Sequence, residues 1–312
     1  MLSTWCVVLA ARASARFHLI PMVGRPASGS SASLVTSEPI RETIGRAHSF
    51  APKERIAAVL ADSFTDFSCG IDMDRLDSRN IVIEPVHRGT GYEILLALLW
   101  LETRIEPKAP VIFLPADHIV SDERLMCEAL ADMAGWIGKE PESVYLLGAV
   151  PEGPHNQLGY IVPWLETSLV PTGVYEFVEM PDVYAARSLI NSGSLWNTFI
   201  FGGTFISIVQ LFRPHYDAQV NAIREAISVE VTSSSGSGAL TQVFEKLQPI
   251  DFSGDILKAR IDRLNVLRLP PCGWWPLKSP ALDPTPGLPS EGLPSDTHPA
   301  GQPHRSPAET SD

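Results

Sequence analysis

Basic residues are in short supply: 24 lysines and arginines stand against 36 aspartates and glutamates, a formal net charge of −12 over 312 residues. That balance excludes non-specific nucleic-acid binding, which needs basic patches that displace counterions. It leaves a nucleotide site open, because a few local donors suffice there. Cysteine is scarce too. Cys6, Cys69, Cys127 and Cys272 lie far apart with no C-x-x-C pair. Neither a zinc site nor a disulfide framework is expected, and reduced thiols in a cytoplasmic enzyme fit best. The histidines show no metal-ligand spacing. No stretch approaches the ~18 uninterrupted apolar residues of a membrane span. The opening MLSTWCVVLAARASA offers a cleavage-like Ala13-Ser14-Ala15, yet no basic residue precedes its short apolar core. A first buried strand is the better reading.

What the chain does have is a near-average hydrophobic content arranged in alternating patterns. Strands are expected over Cys6–Ala10, Arg55–Ala61, Asn80–Glu84, Val111–Leu114, Val144–Val150, Gly159–Val162, Val174–Glu179 and Leu264–Leu269. Helical spacing occupies Gly91–Arg104, Asp122–Trp136, Asp182–Asn191 and Phe205–Ile227. This alternation predicts an α/β fold of three layers with a largely parallel sheet. The run SSSGSG, Ser233–Gly238, reads as a loop inside the domain. From Pro270 onward the composition changes, with eleven prolines in the last 43 residues. Such a tail buries too little apolar surface to offset its ordering entropy, so disorder is expected over 269–312, after a domain spanning 1–268.

Four stretches can carry chemistry. In VIFLPADHIV, Val111–Val120, a run typical of a strand buried on both faces stops at Asp117. In open α/β sheets ligands gather beyond the carboxyl ends of such strands, and an acid there suits a divalent cation held against phosphate. The plainer alternative is that Asp117 caps the following helix. In IEPVHRGTGYE a strand ends at Glu84-Pro85, and a turn with Arg88, Gly89, Thr90 and Gly91 leads into an apolar helix. Free amides at that helix start would cradle a nucleotide, with Arg88 adding a fork of donors. In FVEMPDVYAARSLINSGSLWNTF, Glu179 and Asn197 suit sugar hydroxyls, while Asp182 and Gly193 read equally as helix caps and Trp196 as packing. In NQLGYIVP, Gly159 marks a close approach by ligand or backbone.

Taken in order, EP-x-x-RGT, LPADH, LG-x-x-P-x-G-P with LGYI, VE-x-PD and G-x-LWNTF resemble the motifs of the sugar-phosphate nucleotidyltransferases, and within them the mannose-1-phosphate guanylyltransferase group. The likeness runs from about Cys6 to Trp274. It implies a Rossmann-like (GT-A-like) α/β/α fold with a mixed, mainly parallel sheet. It implies Asp117 as a Mg²⁺ ligand and catalytic group, with Glu84, Pro85, Arg88, Gly89 and Thr90 beside the nucleotide. Gly159, Glu179 and Asn197 would line the sugar pocket. The implied reaction is attack of a sugar-1-phosphate, mannose-1-phosphate in that group, on the α-phosphate of GTP, releasing pyrophosphate.

The sequence departs from the family pattern at its cations and glycines. The G-G-x-G-x-R loop reads ARASAR, Ala11–Arg16, with Arg16 alone matching as the catalytic loop arginine. The lysine of R-P-K is Ala27, that of E-K-P is Met180, and the aspartate of C-G-W-x-D is Pro276. Phosphoryl transfer depends on positioning and on neutralising phosphate charge, so these losses predict weak or absent transfer. A non-catalytic module binding nucleotide or sugar phosphate is the alternative, and Gly91-Tyr92 keeps a different sugar or base in view.

Overall fold

A computed structural model describes residues 4–11, 31–62, 75–165, 170–232 and 238–277, with main chain only over 31–38. Its strands are β1 (Trp5–Leu9), β2 (Ile56–Ala61), β3 (Ile81–Glu84), β4 (Pro110–Pro115), β5 (His118–Ile119), β6 (Val144–Ala149), β7 (Tyr160–Pro163), β8 (Thr172–Val178), β9 (Leu195–Thr204), β10 (Leu264–Arg268) and β11 (Trp275–Pro276). The helices are α1 (Ser31–Ala47), α2 (Thr90–Leu101), α3 (Glu123–Lys139), α4 (Val183–Asn191), α5 (Phe205–Leu211), α6 (Asp217–Thr232) and α7 (Ala239–Lys246).

Nine strands make one mixed sheet in the order β3-β2-β1-β4-β9-β6-β10-β8-β7, and β7 also pairs with β9. The pairs β1–β2, β2–β3, β1–β4 and β6–β10 are parallel. Antiparallel β9 sits between β4 and β6. β1 shows why these segments become strands. Trp5, Val7 and Leu9 enter one apolar cluster, while Cys6, Val8 and Ala10 enter a second on the opposite face. A strand buried on both sides needs an unbroken apolar run, which is what its sequence supplies. Helix α2 is apolar all round and buried along nearly its whole length. Residues of α5, α6 and α7 share its cluster, and those of α1 and α3 belong to the other.

Two expectations change. The single helix expected over Phe205–Ile227 is two, α5 and α6, separated at Arg213-Pro214, because proline lacks the N–H that a continuing helix requires. The folded unit also continues past residue 268. Leu269, Cys272 and Trp274 are buried, and β11 pairs antiparallel with β5. No helix among the described residues is long and apolar enough to cross a membrane.

Candidate functional site

Register brings the singled-out acids to one edge of the sheet. Leu9 pairs with Val59 and Pro115, and Ala61 with Glu84. Ala10 N–H on Val59 O and Ala116 N–H on Leu9 O carry the parallel ladder past Leu9, so Glu84 at the end of β3 and Asp117 just past β4 lie at the same carboxyl edge of the sheet. That is the edge where open α/β sheets hold ligands.

Asp117 is half-buried just past β4. The helix-cap explanation for it falls, because Asp122 caps α3 by accepting the Leu125 N–H at 3.0 Å. Leu277 N–H donates to the Asp117 carbonyl at 2.8 Å, and Pro276 pairs with His118. The chain therefore brings Pro276, whose ring carries no oxygen, beside the acid loop and opposite His118. Among the described residues no group of three metal-binding side chains occurs. A lone carboxylate suits a divalent cation only where other oxygens, such as those of a phosphate, complete its shell.

The residues expected to line a sugar pocket converge. Asn197 N–H donates to Gly159 O at 2.8 Å. A β-carbon on Gly159 would lie 2.6 Å from Glu179 Oε1, so the close approach that this glycine permits is that of the Glu179 carboxylate. The Asn197 amide donates to Ser253 Oγ at 3.2 Å and its Oδ1 accepts the Phe199 N–H at 3.1 Å. Phe199 has φ +61° where the β6–β9 register shifts, a bulge that re-aims the start of β9. Met180 follows Glu179 with φ +44° and stays exposed. Asp182 caps α4, Gly193 takes the left-handed conformation after it, and Trp196 is buried, so those three act as packing and caps.

Glu84 is buried at the end of β3. Its Oε2 accepts from His87 Nδ1 at 3.1 Å, and its Oε1 meets no partner among the described residues. A buried acceptor without a donor is costly, so this oxygen is a natural contact for a ligand donor. Pro85 follows it, half-buried.

In the adjoining turn, expected as a nucleotide cradle, several groups are held by the chain itself. Arg88 donates through Nε to Phe244 O at 2.9 Å and through Nη2 to Glu245 O at 3.0 Å, holding the end of α7. Gly91 N–H donates to Ile250 O, and Ile250 N–H to Arg88 O. Thr90 Oγ1 donates to Asp251 Oδ2 and accepts the Phe252 N–H. Gly89, with φ +90°, leaves room for Ile250 O, which a β-carbon would meet at 2.1 Å. The Gly91 N–H and the Arg88 guanidinium thus bond residues 244–250, which return to the start of α2.

Two groups escaped the sequence reading. Glu93, buried on α2, accepts the Ala11 N–H at 3.3 Å. Arg46, fully buried on α1, binds both Glu123 and His118. Neither spacing nor composition marks them, since each is an ordinary charge on a helix until the fold pairs it. Arg16, Ala27 and Lys278 lie outside the described residues. A separate cavity of about 960 Å³ lies between α3 and residues 267–274. None of Glu84, Asp117, Glu179 and Asn197 lines it, so the chemistry is better placed by register than by cavity size.

No family model matches the chain. It is 30% identical over 146 residues to the mannose-1-phosphate guanylyltransferase of Escherichia coli (strain K12), covering 44% of this chain and 30% of that protein. It is 30% identical over 131 residues to the alginate biosynthesis protein AlgA of Pseudomonas fluorescens, covering 41% and 26%. The chain thus spans under a third of the length of these curated relatives. In fold it is similar to a solved structure described as mannose-1-phosphate geranyltransferase from Thermus thermophilus, with a TM-score of 0.66 at 22% identity, covering 88% of this chain and 76% of that one. In sequence over less than half of its length, and in fold, the chain is thus similar to proteins described as mannose-1-phosphate transferases.

Proposed function

We propose that the chain is a mannose-1-phosphate guanylyltransferase-like protein, built as a three-layer, Rossmann-like (GT-A-like) α/β/α domain, whose transfer activity is weak or lost. Its ligands on this reading are GTP and a sugar-1-phosphate, mannose-1-phosphate first among them, with Mg²⁺ carried in on the triphosphate and met by Asp117. We place it in the cytoplasm, as its free cysteines suit.

The observation that carries the reading is the carboxyl edge itself. Glu84 ends β3 and Asp117 follows β4 at the same edge, and Gly159, Glu179 and Asn197 form a second cluster joined by direct contacts. Glu84 would take donors of base or ribose, and Glu179 and Asn197 the sugar hydroxyls. Transfer also needs cations on the phosphates. Arg88 is committed to α7, Met180 carries no charge, and Pro276 adds no ligand beside Asp117. Recognition is therefore better provided for than turnover.

The same observations favour a second reading, a module that binds nucleotide or sugar phosphate and regulates without transfer. Purified protein with GTP, mannose-1-phosphate and Mg²⁺ separates the two. Measurable pyrophosphate release supports a slow transferase. Saturable thermal stabilisation by GTP or GDP-mannose without release supports the binding module. No stabilisation by any of these ligands would overturn both.

A further inference from the structure

The loop that carries Asp117 is tied at almost every residue. Ala116 N–H bonds Leu9 O, Leu277 N–H bonds the Asp117 carbonyl, and both Ser121 and Asp122 N–H bond Cys272 O. His118 and Ile119 pair with β11. These ties are main-chain ones. A further tie is a side chain reaching in from another helix. Arg46 of α1 gives a two-pronged grip on Glu123, Nε to Oε2 at 2.8 Å and Nη2 to Oε1 at 2.6 Å, and its Nη1 lies 3.0 Å from His118 Nε2.

Arginine has donors only, so His118 accepts at Nε2 and carries its ring proton on Nδ1. One guanidinium thereby fixes the residue after Asp117 and the residue that opens α3. For stability alone this is an expensive device. The Arg46 side chain is 0% exposed, and apolar packing holds a loop with no desolvation penalty. A bidentate fork gives something that packing does not, a fixed orientation.

We propose that Arg46, acting with Glu123, is a positioning residue that sets the Asp117 carboxylate where it meets a cation carried by a bound nucleotide. The inference rests on the function proposed above. Supporting side chains that lock the geometry of a ligand group govern affinity almost as strongly as the ligand group itself.

The test uses the full chain with Mn²⁺ and GTP, reading protein-held Mn²⁺–GTP by water-proton relaxation and metal-free GTP binding by thermal shift in EDTA. Arg46→Met is expected to weaken Mn²⁺–GTP binding about tenfold, as Asp117→Asn does, while leaving metal-free GTP binding unchanged. Arg46→Lys restores folding but not that affinity, because one ammonium cannot grip both partners. Arg224→Met, which breaks the equally two-pronged Arg224–Glu102 pair elsewhere, leaves both readouts alone. A folded Arg46→Met protein with wild-type Mn²⁺–GTP affinity would overturn the inference and leave the functional reading standing. If that variant does not fold, Glu123→Gln decides in the same way. Wild-type protein with no metal-dependent gain in GTP binding overturns the proposed role of Asp117 itself, and this inference with it.

Discussion

At Gly159 a single missing β-carbon makes room for a carboxylate. Adding it in Gly159→Ala places a methyl 2.6 Å from Glu179 Oε1, so the flexible end of Glu179 must swing away. Folding should lose only about 1 kcal/mol, since a side-chain tip can yield where main chain cannot. Sugar recognition should suffer more, with GDP-mannose affinity falling about tenfold, one directed hydrogen bond's worth. Calorimetric titration beside a melting curve checks this, and an unaltered affinity would remove Glu179 from the sugar pocket. His155 supplies a second test. Its Nδ1 accepts the Gln157 N–H, its ring lies edge-on to Trp196, and burial lowers its pKa below 6.5. The unfolded chain then binds the proton more readily, so stability is complete above pH 6.5 and declines as pH drops toward the lowered value. His155→Asn, which keeps an acceptor, should flatten the fall in melting temperature between about pH 6.5 and pH 5. An equal slope in both proteins would assign that fall to other groups.

Elements were legible where one kind of pattern filled them. β1, β4 and β6 are unbroken apolar runs, and each lies where its sequence places it. β9 was not legible, although it joins the parallel strands β3-β2-β1-β4 to the parallel pair β6–β10. Its sequence LWNTFIFGGT mixes a bulge at Phe199 with two glycines that other elements press against. A β-carbon on Gly202 would crowd Ile137 and the Val111 carbonyl, and one on Gly203 would crowd Ser207. Glycines placed for packing read as a turn when seen in sequence alone. The RGTG turn shows the opposite case. Its glycines and arginine look like a phosphate cradle, and the return of residues 244–252, which takes up the Arg88 guanidinium and the Gly91 N–H, is not legible in the turn's own sequence. Arg88→Ala should therefore act on stability. Losing two charge-assisted bonds to the end of α7 costs about 1–3 kcal/mol, with GTP affinity unchanged in the folded fraction. Weaker GTP binding at wild-type stability would return Arg88 to the nucleotide.

For the whole molecule, fold and chemistry have separate requirements, and on the function proposed here only the first is met in full. Core packing needs apolar runs at the right period, which survive here. Transfer needs particular charges at the carboxyl edge, and several are replaced. The fold still brings the altered positions to where they would act, since Pro276 lies opposite His118 and Met180 adjoins Glu179. Restoring them is then a test of the entire reading. Pro276→Asp puts a second, buried carboxylate beside Asp117, and without a cation the two repel. Its melting temperature in EDTA should fall below that of the wild type, and millimolar Mg²⁺ should recover the loss by binding the folded state alone. Adding Met180→Lys supplies a cation next to the sugar cluster, and the double variant should release pyrophosphate from GTP and mannose-1-phosphate at least about tenfold faster than the parent. A Mg²⁺-linked recovery without faster release would trace the remaining defect to the glycine-poor ARASAR loop. Absence of any Mg²⁺ effect on Pro276→Asp would mean that residue 276 does not share a cation with Asp117, and the kinship drawn from the order of motifs would no longer extend to the active site.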